Sequence, residues 1–441
     1  MEAIGNVLRG ALGLVVILAI AWILSADRRR ISWRLVGVGL GLQLALALFI
    51  LKGDELSRHF APLGWPKAFF SWVSSFFVLI LHFTTEGARF LFGNLALSPG
   101  QEGSMGAFFA FQVLPTIIFF SALMSVLYHL GLMQRLVQAM AWVMTRLMGT
   151  SGAESLSVTA NIFVGQTEAP LVIRPYLGGM TRSELLAVMS GGMATIAGGV
   201  MAAYIQMLGD AFAQARGLEL ETARLLFAEQ LLGASVMAAP AALVLAKILI
   251  PETGVPETAG VVRAQVERTS QNVIDAAARG AADGLKLAAN VGGMLIAFIA
   301  LIALVNYFLG WLGGLVGLEL SLERLFGWAL GPLGWIVGIP WSEASTFGSL
   351  LGTKVVVNEF VAYLGLADAI RSGLLTEKSI TMSTFALCGF ANFSSIAIQL
   401  GGIGPLIPHR ISELAQLGLR AVLAGTLANL MTATIAGALM G

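Results

Sequence analysis

Charge is scarce in this chain. Asp, Glu, Lys and Arg together make up 12% of its 441 residues, about half the share found in soluble domains, which excludes an ordinary water-soluble fold. The few charges nearly cancel to a formal net +1, so the basic footprint of a nucleic-acid partner is missing. Cysteine occurs once, at Cys388; an intramolecular disulfide and a cysteine-clustered metal site are both excluded, and packing is left as the role of that thiol. The four histidines, His59, His82, His129 and His409, show no metal-ligand spacing and read as interfacial. No P-loop and no glycine-rich fingerprint in a strand-turn-helix setting is present, so nucleotide hydrolysis is not the energy source. An ion gradient is the natural alternative.

Apolar residues are plentiful instead, at 57% of the chain, with a mean hydropathy of +0.83. The chain reads as an all-α integral membrane protein. Its 52 glycines and 13 prolines fit closely packed or interrupted membrane helices, because small residues let backbones approach. Neither a Gly-x-y period nor a polar tract supports a collagenous or disordered reading. The first apolar run, Ala11 to Ala26, is about the length of a signal peptide, but Arg28, Arg29, Arg30 and Arg34 follow it while Arg9 alone precedes it. That asymmetry predicts an uncleaved anchor with its start outside and a return through Leu35 to Leu51.

About 20 apolar residues are needed to cross a bilayer as a helix. Six further runs qualify: Ala107 to Leu130, Ser183 to Leu208, Leu226 to Ile250, Leu287 to Val316, Ile380 to Leu400 and Leu417 to Met440. With the first two they make about eight crossings. Between Leu51 and Ala107 the aromatics mix with Lys67, His82, Glu86 and Arg89, which predicts an interfacial helix in preference to a ninth crossing. The segment from Pro251 to Lys286 is the most soluble part and predicts an amphipathic surface helix.

Two segments fit neither description: SGAESLSVTANIFVGQTEAPLVIRPYLGGM (151–180) and PWSEASTFGSLLGTKVVVNEFVAYLGL (340–366). Each opens with helix-start chemistry, Ser151 or Ser155 in the first and Ser342 with Glu343 in the second. Each carries a polar cluster midway, Gln166-Thr167-Glu168 and Asn358-Glu359. A helical hairpin that enters the membrane and leaves by the same face reconciles these facts, provided protein or a wet cavity surrounds the tip. Each hairpin precedes a crossing with a glycine-rich middle, MSGGMATIAGGVMAAY in one half and LCGFANFSSIAIQLGG in the other. Corresponding interrupted segments in two halves of a chain point to a transporter site near the bilayer midplane.

A carboxylate within a membrane helix costs about 2.5 to 3.5 kcal/mol, which makes Glu168 and Glu359 the first candidates for solute or ion binding. Pairing with a buried cation such as Arg174 or Lys354 is the structural alternative. Lys354 lies five residues before Glu359, off the same helical face, so a direct intrahelical pair is not favoured. Asn392, Ser394 and Ser395 sit where Gly389 permits a local break, and Asn161, Gln166, Thr167 and Thr195 add neutral oxygens and amides. Such a set suits an uncharged solute rich in hydroxyl and amide groups, and suits phosphates poorly.

The segment GTKVVVNEFVAY (352–363) matches at every fixed position a signature of the concentrative nucleoside transporters, and NIFVGQTEAP and GFANFSSIAI resemble that family's first hairpin tip and broken seventh helix. The resemblance implies an inverted repeat, eight crossings, two oppositely oriented re-entrant hairpins and a homotrimer in the cell inner membrane. It divides the chain into 1–150 (scaffold helices and interfacial helices), 151–250 (first hairpin and transport helices), 251–339 (surface helix and a scaffold helix) and 340–441 (second hairpin and last transport helices). Carried over by position, Gln166 and Thr167 hydrogen-bond the base of a nucleoside such as uridine, with Glu168 helping directly or through water. Glu359, Asn392 and Ser395 hold the ribose, Val200 and Phe390 pack against base or sugar, and Asn358 and Lys354 stabilise the second tip. The family's sodium site falls on Asn161, Val164, Thr195 and Ile196, with threonine where serine is expected at 195. No organic cofactor is implied. The resulting expectation is a sodium-driven nucleoside importer whose transport domain moves like an elevator. Proton symport of nucleosides or of another neutral polar solute stays open, as does an intramembrane enzyme using the two glutamates as acid and base.

Overall fold

A computed structural model describes residues 2–99, 101–260, 270–315 and 317–440. These residues form nineteen α-helices and no β-strand. Helices α1 (Glu2–Ile23) and α2 (Trp33–Leu51) are joined by a short turn in which Asp27 and Ser32 cap the following backbone amides. After α3 (Gly53–His59) comes α4 (Trp65–Phe92), a continuous 28-residue helix. At 1.5 Å per residue it is about 42 Å long. Short α5 (Phe109–Gln112) leads into α6 (Leu114–His129) and α7 (Leu132–Met148).

The first hairpin begins with α8 (Gly152–Ala160), whose start is fixed by a capping box: Ser151 accepts from the Glu154 amide while Glu154 accepts from the Ser151 amide. Ser155 lies inside the helix and bonds back to the Ser151 carbonyl. The chain turns at 161–168 and returns through a 3₁₀ turn and α9 (Arg174–Leu177). Then α10 (Arg182–Ala194) and α11 (Gly198–Arg216) run on, separated by a break at Thr195, Ile196 and Ala197. Helix α12 (Leu220–Leu249) follows.

The soluble-looking segment ends differently from the expected surface helix. Asn272 caps α13 (Val273–Gly314), a single 42-residue helix that carries the polar residues up to Lys286 on the same rod as the apolar crossing. Residues 261–269 and Val316 lie outside the described residues. Helix α14 (Leu322–Val337) precedes the second hairpin, α15 (Trp341–Val356) and α16 (Glu359–Arg371). Pro340, not Ser342, stands at the start of α15, and Glu343 instead accepts hydrogen bonds from the amide and hydroxyl of Thr376. The run expected as a crossing from Ile380 to Leu400 is two helices, α17 (Glu377–Leu387) and α18 (Phe393–Ile403). The last helix is α19 (Ile411–Leu439).

Eight helical stretches among the described residues are long and apolar enough to cross a membrane: Gly5–Ile23, Trp33–Leu51, Ala61–Ala96, Phe109–His129, Arg182–Arg216, Leu220–Leu249, Val273–Gly314 and Pro408–Leu439. The number matches the expectation but its membership does not. The stretch around α4 qualifies by length and composition, and the broken pair α17–α18 does not.

Burial sorts these helices into an inner and an outer set. The apolar window of α12 is 100% buried, and that of α13 only 11%. Helix α19 packs against α10, α12 and α17 at the centre, whereas α13 packs along α6. Their close approach depends on glycine: a Cβ at Gly284 would lie 2.8 Å from the Ile118 Cα and the Ser121 Cβ. At the base of the first hairpin the Lys247 ammonium bridges Glu154 (2.8 Å) and Glu252 (3.0 Å). Burial pushes the Glu252 carboxyl up, but Lys247 and the donors Thr181 and Gly254 outweigh it and hold the group below its usual range.

A polar cavity between two hairpin tips

The two tips and the two helix breaks meet. On the second tip α15 stops at Val356 and the Asn358 side chain restarts the chain as α16, its Oδ1 accepting from the Val361 amide at 2.9 Å. This puts Glu359 in the first turn of a helix, where free amides and the dipole favour a carboxylate. Opposite, Asn392 caps α18: its Oδ1 accepts from the Ser395 amide (2.8 Å) and the Ser394 hydroxyl (2.7 Å). The other end of that amide, Nδ2, donates to Glu359 Oε2 at 2.9 Å, while Tyr204 Oη of α11 donates to Oε1 at 3.2 Å. A carboxylate offers about four acceptor sites, so Glu359 keeps capacity for further donors.

The first tip is tied in through Gln166. Its Nε2 donates to Ser395 Oγ (3.1 Å), and its Oε1 accepts from Gln399 Nε2 (3.0 Å), which also donates to the Met189 carbonyl. Thr167 packs on Gly402 of α18. Glu168 is exposed, and its carboxylate makes no hydrogen bond or ion pair with the described residues. All eight expected solute contacts, Gln166, Thr167, Glu168, Val200, Glu359, Phe390, Asn392 and Ser395, line one cavity of about 830 Å³. That volume falls in the range of about 300–1,000 Å³ usual for small-molecule sites. Its far wall comes from α6 and α13 and includes Phe120, Met124, Tyr128, Leu287, Val291 and Leu295. A separate cavity of about 160 Å³, lined by His82, Glu86, Arg89 and Arg224 among others, contains none of the tip residues.

Glu359 is not paired with a buried cation. Lys354 is fully buried and its Nζ donates to Asn429 Oδ1 (2.7 Å), to the Ala386 carbonyl (3.0 Å) and to the Cys388 carbonyl (3.4 Å). Arg174 lines the cavity but forms no ion pair with Glu168.

The expected sodium ligands fall at the end of α8, on the first tip and at the break after α10. Asn161 is buried; its Nδ2 donates to the Ser157 carbonyl at 3.1 Å, and its Oδ1 has no hydrogen-bond partner. Thr195 is buried at the end of α10 and donates its hydroxyl proton to the Gly191 carbonyl (2.9 Å), so its oxygen lone pairs remain available. The Gly198 amide donates to the Phe163 carbonyl (3.1 Å) and docks the first tip on the break. Val164 lines the cavity, and Ile196 is fully buried. Leaving an acceptor such as Asn161 Oδ1 unmet costs about 1–3 kcal/mol. A monovalent cation held by neutral oxygens would relieve that cost, and the donor set has the hard, uncharged character such an ion prefers. No group of three or more His, Cys, Asp or Glu able to hold a metal occurs among the described residues.

Sequence reasoning missed Tyr204, Gln399, Asn429 and the α6–α13 wall. Tyr204 closes the segment MSGGMATIAGGVMAAY and had a signal, a hydroxyl at the end of a glycine-rich crossing. The others had none.

Comparison with known proteins places this geometry. The chain matches a family model described as "Na+ dependent nucleoside transporter C-terminus" over 230–437, its N-terminal counterpart over 12–95, and a "Nucleoside recognition" gate model over 110–211. It is 46% identical over 434 residues to YutK of Bacillus subtilis (strain 168), an uncharacterized transporter, covering 98% of this chain and 99% of the relative. It is 41% identical over 450 residues to sodium/nucleoside cotransporter 1 of Rattus norvegicus, covering 97% of this chain and 63% of the relative. Its structure is similar to that of CNTnw in an inward-facing substrate-bound state, with 43% identity, a TM-score of 0.85 and coverage of 99% and 98% of the two chains. An outward-facing variant of CNTnw aligns at 42% identity and a TM-score of 0.87, again over 99% and 98%.

Proposed function

Because the chain belongs to the concentrative nucleoside transporter family, whose members are transporters and not enzymes, we propose that it imports nucleosides by sodium symport through the cavity between the tips. The observation that carries the reading is Glu359, held by Tyr204 and Asn392 with acceptor capacity left toward the cavity. Ribose hydroxyls are donors that fit it, and Ser395 adds a neutral partner beside them. Gln166 and Thr167 take the base, with Glu168 directly or through water, while Val200 and Phe390 supply apolar contact. Base binding at Gln166 competes with the bonds from Gln399 and to Ser395, so the solute replaces direct bonds between the first tip and α18 with contacts that run through itself.

Sodium at Asn161, Val164, Thr195 and Ile196 would order that same tip. Ion and solute then raise each other's affinity by one common factor, as linkage requires. For the movement we assign 151–250 and 340–441 to a transport domain, and 1–150 and 251–339 to the scaffold. The contrast in burial between α12 and α13 supports this division. Each hairpin enters and leaves the bilayer by its own face, the two from opposite sides, as their buried polar tips demand. Three copies assemble in the cell inner membrane, with uncovered apolar faces such as that of α13, bearing Trp311 and Phe308, turned to lipid or to a second copy.

The test is uptake of labelled uridine into proteoliposomes under a sodium gradient, a proton gradient, or neither. Concentrative uptake with sodium alone supports the reading. Uptake driven by protons without sodium transfers the coupling role to a cavity carboxylate such as Glu168, and no uptake of any nucleoside overturns the assignment.

A further inference from the structure

The chain repeats one device: a hairpin arm, a tip, then a helix broken at its C-terminal end. In the first half the arm α8 ends at Asn161 and α10 breaks at Thr195. In the second the arm α15 ends just past Lys354 and α17 breaks at Cys388. Broken helices leave backbone carbonyls without intrahelical partners, concentrated at the negative end of the helix dipole. Inside a bilayer these carbonyls must be met by protein, water or a cation.

The two halves meet this need differently. In the first half the Thr195 hydroxyl stands at the break, and Asn161 at the end of the arm leaves its buried Oδ1 unpartnered. At the second, the fully buried Lys354 ammonium sits on the Ala386 carbonyl, the Cys388 carbonyl and Asn429 Oδ1. None of those partners is a carboxylate. An ammonium has three protons, and here each has one neutral oxygen, the kind of ligand set a hard monovalent cation takes. The halves are also joined: Asn429 Nδ2 donates to the Ala194 carbonyl at 2.7 Å, beside Thr195, and a Cβ on Gly389 would lie 2.6 Å from that same carbonyl oxygen.

We propose that the Lys354 ammonium is a tethered cation occupying, in the second repeat, the position that the coupling ion takes in the first. This rests on the sodium reading above. The second tip is thereby held ordered permanently while the first depends on an ion from solution, so one ion per protomer suffices for two hairpins. Lys354 is a positioning residue: it touches no solute-facing group, and acts by fixing the tip that presents Glu359 and the α17 break.

The experiment uses full-length protein in proteoliposomes. Lys354→Ala leaves three buried oxygens unmet and should lower uridine uptake more than about tenfold. Propylammonium, which replaces the deleted atoms, should restore uptake and thermal stability severalfold; propanol should not. Lys354→Met, which fills the space without charge, should remain inactive with or without the amine. Unaltered uptake in either variant, rescue by propanol as effective as by the amine, or no rescue by the amine overturns the proposal. If Lys354→Ala does not accumulate, Lys354→Met decides, since a folded inactive protein supports the proposal and a folded active one overturns it. Counting radioactive sodium on the unaltered protein gives an answer independent of any variant. One ion per protomer is expected, two overturn the tethered-cation proposal alone, and none overturns the sodium reading and the proposal with it.

Discussion

Replacing Glu359 by Gln tests the solute site most directly. The carboxylate accepts from Asn392 Nδ2 at 2.9 Å and from Tyr204 Oη at 3.2 Å. An amide has one acceptor oxygen, so either Asn392 or Tyr204 then faces an N–H group or must turn away, and the charge is lost. Hydrogen bonds to a charged group contribute about 1.5–3 kcal/mol each, against about 0.5–1.5 for neutral ones. For one sugar hydroxyl the difference is about 1–1.5 kcal/mol, roughly five- to tenfold in affinity, and for two hydroxyls about 25- to 100-fold. The assay is a cycle: uridine, 2′-deoxyuridine and 3′-deoxyuridine are each measured by binding to detergent-solubilised protein, in the original chain and in Glu359→Gln. In the original chain at least one deoxy analogue binds much more weakly than uridine. In the variant that penalty shrinks, because the group that detected the hydroxyl is gone. Equal deoxy penalties in the two proteins would refute contact between Glu359 and the sugar even if overall affinity fell.

Three further outcomes follow from named contacts. Thr195→Ala removes an oxygen from the proposed ion cluster while leaving the solute cavity lining intact, and should weaken apparent sodium affinity about tenfold or more; unchanged sodium dependence of uptake rules that cluster out. Gly389 has φ of +113°, and a Cβ there would lie 2.6 Å from the carbonyl oxygens of both Ala194 and Met193. Gly389→Ala should therefore lower the melting temperature of purified protein and its yield, whereas wild-type yield and melting would show that the two breaks are not tightly packed. The Glu252 carboxyl is held below its ordinary value of 4.5, so its stabilising contribution is complete above that value and is lost as pH falls through the lowered one. Thermal melts from neutral pH down through the acid range should show less acid-dependent loss for Glu252→Gln than for the original chain, and identical slopes would count against the Lys247 bridge.

The hairpins were legible because a polar cluster inside an apolar run is costly unless the chain turns there, and because Ser151 with Glu154 spells a helix start. The breaks were harder. Hydropathy averaged from Ile380 to Leu400 hides five residues, 388–392, that leave the helix. Conversely, the aromatics and charges within α4 suggested an interface, although the helix is long and apolar enough to span. Asn272 followed by Asp275 marks the start of α13, but nothing local says that a charged first stretch continues without interruption into the apolar one. Gln399 and Asn429 were invisible for a different reason. Both lie in helices that carry no charged group near them, and in a membrane-embedded interior a lone amide gives no clue to the helix it will reach.

Asn392 has two duties at once: one end of its amide starts α18 and the other end steadies Glu359. A substitution there cannot alter what the pocket accepts without unsettling a helix, and a change at Ser395 removes the hydroxyl that accepts from Gln166 of the first tip. Glu168 carries no such internal obligation. On the proposed roles of the two tips, Glu359 and Asn392 are frozen by architecture and Glu168 alone is free to drift, so descendants of this protein would trade one base for another through position 168 while their demand for an intact sugar persists.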